Sequence, residues 1–236
     1  MEELLVQFAG ENGLELPETA APAFRRYYRF LEEKGKMMNL TAITGEKNVY
    51  TLHFLDCMSI AAGRKMEGCS VLDVGSGAGF PGLPLKIAVP GLRLTLLDAQ
   101  KKRVDFLREL CQQLGLDDVR CIHARAEEAA FDGTMREMYD YVLSRAVARL
   151  NLLCELCLPF VSVGGAFIAM KGTDSDEEIR EAQTAIRTLG GQLEEIKDYT
   201  VPGTDIRHRL AVIRKIGCTP SGYPRKYAKI SRSPLT

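Results

Sequence analysis

Residues 71–86 read VLDVGSGAGFPGLPLK, an apolar strand that runs into four glycines and two prolines and then into a helical pattern. Glycine's access to positive φ lets a chain reverse sharply and lets a ligand approach its backbone. From Gly77 the string is G-A-G-F-P-G, a literal G-x-G-x-x-G of the kind that binds dinucleotides. Its neighbours argue against a pyrophosphate. Asp73 stands two residues before the first glycine, where a carboxylate repels phosphate and attracts an ammonium or sulfonium group. Pro81 and Pro84 lack N–H groups, so the helix start offers few donors to an anion. Asp98 ends the next apolar run, LRLTLLD, where a carboxylate can accept both hydroxyls of an adenosine ribose. NAD and S-adenosylmethionine share that last feature.

Outward from this turn, short apolar strands alternate with amphipathic helices. CSVLDV, LRLTLLD, VRCIHA, YDYVLS and GAFIAM read as five successive strands. Between them KKRVDFLRELCQQLG places Val104, Leu107, Cys111 and Leu114 on one helix face, with Gly115 as its stop. SDEEIREAQTAIRTLGG predicts one helix opened by a Ser175-x-x-Glu178 capping box. The alternation implies parallel βαβ units in a doubly wound sheet. GQLEEIKDYTV and RHRLAVIRKI, separated by Pro202-Gly203, predict an antiparallel hairpin at one edge. Ahead of the core, Phe24, Tyr27, Tyr28 and Leu31 keep helical spacing, KGKMMNLTAITGEK reads as a loop, and KNVYTLHFLDCMSIAAG carries a second apolar stripe. The predicted organisation is a helical segment over 1–68, a ligand-binding α/β core over 69–216 and a basic tail over 217–236.

Composition narrows the class. The 236 residues are 46% apolar and 26% charged, values typical of globular domains. No run of about 18 apolar residues occurs, and MEELLVQFAG opens on acids, so the expectation is a cytoplasmic protein with no membrane partner. The seven cysteines are an odd set embedded in apolar segments, which favours free thiols. Cys154 and Cys157 form a lone CxxC, and His53, His123 and His208 stand far apart, so no metal site is expected. Zero net charge hides an asymmetry: from Ile206 onward the chain carries eight Lys and Arg and no Asp or Glu. Arg207, Arg209, Arg225 and Lys226, interleaved with Tyr223 and Tyr227, are candidate RNA contacts. A solubilising tail is the alternative reading. Nothing in the sequence demands a dimer, so a monomer is expected.

An acid, a GxGxG turn and a ribose acid together resemble the class I S-adenosylmethionine-dependent methyltransferases, whose fold is Rossmann-like with a mostly parallel seven-stranded sheet and helices on both faces. NLTAI (39–43), HFLD (53–56), DVGSGAGFPGLPLKI (73–87), LLDAQKKRVDFL (96–107), RAEE (125–128), SRAVA (144–148), MKG (170–172) and YPRK (223–226) occur in this order. Together they resemble the bacterial small-subunit rRNA methyltransferase G family, also called glucose-inhibited division protein B. The chain departs from that family in lacking a tryptophan before NLTA and in carrying Ala228 and Ile230 where Gly and Pro are common.

The resemblance implies methylation of N7 of a guanine in 16S rRNA, with S-adenosylmethionine as cofactor and small-subunit RNA or a ribosomal particle as partner. It implies cofactor contacts at Gly75, Phe80, Ala126, Glu127 and Arg145, beside the Asp73, Gly77, Gly79 and Asp98 singled out above. Guanine N7 carries a lone pair and no proton, so the reaction needs positioning and no general base. Arg145 and Lys171 are the positioning candidates, the first toward guanine O6 or the cofactor carboxylate, the second toward RNA phosphate. The alternatives are a methyltransferase acting on another RNA position and, from other classes, a NAD-dependent oxidoreductase or a non-catalytic RNA-binding module.

Overall fold

Amphipathic patterning sets the first elements of the computed structural model, which describes residues 1–38, 43–145 and 148–236. Helices α1 (Glu2–Glu11) and α2 (Ala20–Met38) come first. Phe24, Tyr27 and Leu31 of α2 are buried. The helix continues through residues read from sequence as loop, because Lys34 to Met38 contain no helix breaker except Gly35. NLTA lies outside the described residues. Next, α3 (Glu46–Val49), a π-helical stretch (Tyr50–Leu55) and α4 (Asp56–Met58) form one continuous helical run. Its π-turns rotate the face that carries His53 and Asp56, and such turns collect at functional sites.

The core alternates β1 (Ser70–Val74), α5 (Gly82–Ala88), β2 (Arg93–Asp98), α6 (Lys101–Leu114), β3 (Arg120–His123), α7 (Ala126–Ala129), β4 (Tyr139–Arg145), α8 (Leu150–Cys157) and β5 (Val161–Gly172). After α9 (Asp176–Glu181) and α10 (Gln183–Thr188) the hairpin β6 (Gly191–Thr200) and β7 (Arg207–Lys215) completes the sheet, and α11 (Tyr227–Arg232) ends the chain. The seven strands lie in the order β3-β2-β1-β4-β5-β7-β6. Only β7 breaks the parallel run, pairing antiparallel with both β5 and β6. The order reverses between β1 and β4, which places a crevice outside the carboxyl ends of those strands.

Apolar side chains on the two faces make two cores. One joins α2, the π-helical stretch, α5 and α6 to the sheet; the other joins α8, α9, α10 and α11 to its opposite face. Gly115 ends α6 in the left-handed conformation, as its position predicts. The predicted single helix over 175–191 is instead two, broken at Ala182. Its capping box does not form: Ser175 Oγ donates to Gly172 O (2.7 Å), and Glu178 turns to the Lys171 ammonium (2.5 Å). A half-buried ion pair outcompetes the neutral N–H that a capping glutamate would take.

The basic tail is packed onto the core. Arg136 donates to the carbonyls of Thr219 and Tyr223 (3.0 and 2.9 Å), and Ile230 is fully buried.

Candidate functional site: a glycine turn, two acids and an arginine hub

Backbone conformation explains the glycines first. Gly75, Gly77 and Gly79 have φ of 76°, 57° and 101°, a region that side chains disfavour. A Cβ on Gly79 would stand 2.5 Å from Leu83 Cδ1 and 2.6 Å from the Tyr27 hydroxyl, and one on Gly82 2.9 Å from Asp73 Oδ2. The turn spends its own donors. Gly75 and Ser76 N–H go to Leu97 O, Gly77 N–H to Asp98 Oδ2 (3.0 Å), and Gly79 and Phe80 N–H to Ser76 O. Only the Ala78 amide has no such partner among the described residues of that stretch. A pyrophosphate needs several amides aimed outward, so this turn is a poor phosphate cradle.

Asp73 supplies the opposite chemistry. It is fully buried; Oδ2 accepts from Gly82 N–H (2.9 Å), while Oδ1 is the one buried polar side-chain atom without a partner among the described residues. Burial pushes its pKa up to about 7, opposed by the Gly82 amide and the Arg145 charge. An orphaned carboxylate oxygen inside a protein is costly until a donor reaches it. A cationic cofactor carrying an ammonium group fits that requirement. Asp98 is buried and clamps the turn, accepting from Gly77 and Gln100 N–H (3.0 and 2.8 Å). Each carboxylate oxygen has two lone pairs, which leaves capacity for a ribose hydroxyl.

Aromatic stacking joins this turn to the N-terminal helices. The Phe80 ring stacks on His53 (4.3 Å between centroids) and on Tyr27 (5.4 Å), and the Arg145 guanidinium lies 5.0 Å from the same ring. Arg145, at the end of β4, donates to Leu52 O (3.2 Å), Asp56 Oδ2 (3.3 Å) and His53 Nδ1 (2.7 Å). Guanidinium nitrogens only donate, so His53 Nδ1 is unprotonated. Burial, then the Arg145 charge, lower the His53 pKa to about 3 and keep the ring neutral. Burial opposes the charge of Arg145, but Cys57 and Asp56 hold its pKa above the usual value. The Arg145 contacts use three of five guanidinium N–H groups, so two donors are left for a ligand.

The remaining candidates separate into two groups. Ala126 and Glu127 open α7; Glu127 is buried and held by Arg125 Nε (2.5 Å). Lys171, Arg207, Arg209 and Arg225 are all paired. Lys171 serves Glu178 and Ala148 O, Arg207 lies 3.8 Å from Asp198, Arg209 bonds Asp198 and Asp176, and Arg225 forms a two-point pair with the fully buried Glu155. The tail that lacks acids in sequence thus borrows them from the core and the hairpin. Lys226, Lys229 and Arg232 make no ion pair among the described residues. Sequence reasoning missed Asp56 and Tyr199 as site residues, and read His208 only as a non-ligand. Asp56 Oδ1 accepts from Tyr199 Oη (2.7 Å) and from His208 Nδ1 (2.8 Å), contacts across 143 and 152 positions that no local spacing reveals.

Among the described residues no group of three or more His, Cys, Asp or Glu is arranged to hold a metal ion, and no helix is long and apolar enough to cross a membrane. The fold recurs in solved methyltransferases. A SAM-dependent methyltransferase from Aquifex aeolicus superposes with a TM-score of 0.53 at 18% identity, covering 71% of this chain and 93% of that one. M. jannaschii TYW2, solved in complex with AdoMet, gives 0.55 at 15% identity over 74% and 80%. These likenesses show the fold. Residues 20–208 match the family model described as rRNA small subunit methyltransferase G. The chain belongs to that family. Two relatives called ribosomal RNA small subunit methyltransferase G extend the match beyond those residues. The one from Alkaliphilus metalliredigens is 50% identical over 95% of both chains, and the one from Acetivibrio thermocellus 44% identical over all of this chain and 97% of its own. In this family member the specific motifs are the ones that build the site: the glycine turn, HFLD with its His53 and Asp56, and Arg145 of the SRA motif, whose Ala146 lies outside the described residues.

Proposed function

We propose that the protein transfers the methyl group of S-adenosylmethionine to N7 of a guanine in small-subunit ribosomal RNA. The observation that carries the reading is the orphaned Oδ1 of buried Asp73 beside a turn whose amides are already spent. Asp73 takes the cofactor's ammonium, Gly75, Gly77, Gly79 and Phe80 shape its bed, Asp98 takes the ribose, and Ala126 and Glu127 border the adenine. The cofactor supplies an electrophilic methyl on a sulfonium; everything else is positioning. Arg145 offers its two remaining donors to guanine O6, which fixes the base without touching N7. His53 is held neutral with its Nδ1 lone pair committed to Arg145, so it contributes shape through its stack on Phe80. The enzyme acts in the cytoplasm, where its RNA is.

The direct test is transfer of labelled methyl from S-adenosylmethionine to small-subunit RNA, offered naked and as particles from cells lacking the enzyme. Label in RNA is the expected result. Stabilisation of the protein by NAD and none by S-adenosylmethionine would contradict it.

The structure redirects the test of the tail. Replacing Arg225 strands the buried Glu155 carboxylate, so a loss of RNA binding there would mix unfolding with recognition. Lys226, Lys229 and Arg232 are the clean probes. Changing all three to Gln should weaken RNA binding and reduce the slope of log affinity against log salt by about 2 to 3, with cofactor affinity unchanged. An unaltered slope would assign these cations to solubility.

A further inference from the structure

Beside Arg145 lies a cavity of about 470 Å³, large enough for a nucleobase. Leu52, Met170 and Ile206 form apolar walls, and the polar side chains of the lining are His53, Asp56, Arg145, Lys171 and His208. His208 heads β7, opposite Gly172 of β5 and Tyr199 of β6, so the sheet fixes its backbone. Asp56 fixes its ring. That carboxylate is 1% exposed and takes Arg145, Tyr199 and His208 as donors. A carboxylate only accepts, so His208 Nδ1 carries a proton, and Nε2 is the ring atom left to present a lone pair. No described residue hydrogen-bonds His208 Nε2.

We propose that His208, oriented by Asp56 and Tyr199, recognises the acceptor guanine by accepting a hydrogen bond at Nε2 from its N1–H or N2 amino group. The inference rests on the guanine-N7 reading above and deepens it. Guanine's acceptor and donors match the two groups held on either side of the Asp56 carboxylate. O6 is an acceptor and meets the free donors of Arg145; N1–H and the N2 amine are donors and meet the lone pair of His208 Nε2. Adenine reverses the first and removes the second, since it has an amine where guanine has O6, an unprotonated N1 and no 2-amino group. Asp56 then acts on both groups at once, holding the donor and the acceptor with opposite oxygens. Arg145 and His208 would touch the base; Asp56 and Tyr199 are positioning residues.

The test uses the whole protein and small-subunit RNA carrying guanine, inosine or 2-aminopurine at the methylated position. Inosine lacks the N2 amine; 2-aminopurine lacks O6 and N1–H. The wild type should favour guanine by about tenfold or more over 2-aminopurine, which leaves the Arg145 donors unpaired, and over inosine as well if the N2 amine is the donor that His208 takes. His208→Asn keeps a donor where Nδ1 bonds Asp56 and removes the Nε2 atom. In this variant kcat/KM for guanine should fall while the preference over the analogue that lacks the donor taken by His208 shrinks by about tenfold: inosine if that donor is the N2 amine, 2-aminopurine if it is N1–H. His208→Gln reaches the cavity with an amide oxygen and should restore part of that preference. Cofactor affinity should be unchanged in both. Full wild-type discrimination against both analogues in His208→Asn overturns the proposal, since a purely structural role lowers all three substrates alike. If His208→Asn is too slow to assay, His208→Gln decides: discrimination above that of His208→Ala supports the proposal, and equality overturns it. A wild type that places no methyl on guanine N7 would instead overturn the function reading beneath it.

Discussion

Asp73→Asn is expected to weaken S-adenosylmethionine binding by roughly 10- to 100-fold, the worth of one charge-assisted hydrogen bond. The ligand-free protein should lose no stability at pH 8. The sign follows from linkage. The Asp73 pKa stands at about 7 in the fold, against an ordinary value of 3.8, with burial as the leading cause. Between those values the folded state holds more protons than the unfolded one. Stability of the ligand-free protein therefore falls as pH rises through that window and is flat above it. Asparagine removes the slope while its oxygen still accepts from Gly82 N–H. The variant should match the wild type near pH 4 and melt higher at pH 8. The wild type's affinity for the cofactor should rise between about pH 5.5 and 7 as the carboxylate ionises, and the variant's should not. Isothermal titration and melting curves across that range check both. A variant that binds the cofactor as well as the wild type would remove Asp73 from the site.

Arg145→Met is expected to abolish measurable methyl transfer and to destabilise the protein by about 3 kcal/mol or more. The second figure is the usual cost of stripping one partner from a buried charge pair. The guanidinium ties β4 to the π-helical stretch through Leu52, His53 and Asp56, and removing it leaves the Asp56 carboxylate with Tyr199 and His208 as its donors. Arg145→Lys should regain part of the stability and little of the activity, because an ammonium cannot hold three partners in a fixed plane and still present donors to a base. Urea unfolding and single-turnover methylation separate the two effects. Full activity in Arg145→Lys would show that charge alone is needed there.

What the sequence discloses and what it hides divide along contact range. The strand and helix alternation is local, so β1 to β7 stand where the apolar runs place them, and Gly115 ends α6 as its position requires. The two acids are legible because a carboxylate at the end of each of two adjacent strands faces one crevice. Asp73 and Asp98 indeed frame the glycine turn, each bonding one of its glycine amides. The literal G-x-G-x-x-G misleads for a reason visible only in three dimensions: Leu97, Asp98 and Ser76 consume the amides that a phosphate would need. Long-range pairing also decides the rest. Glu178 is a capping residue by spacing and a Lys171 partner in space. Arg209 and Arg225 read as free cations until Asp198, Asp176 and Glu155 are brought beside them. The Asp56 hub draws on helix, hairpin and central strand at once.

The central claim is tested most directly by where the methyl group goes. Small-subunit RNA methylated by the pure protein with S-adenosylmethionine should be cut, after mild reduction and aniline treatment, at a single guanine, as N7-methylguanine requires. Methyl label found on an exocyclic amine, on ribose or nowhere in the RNA would contradict the account.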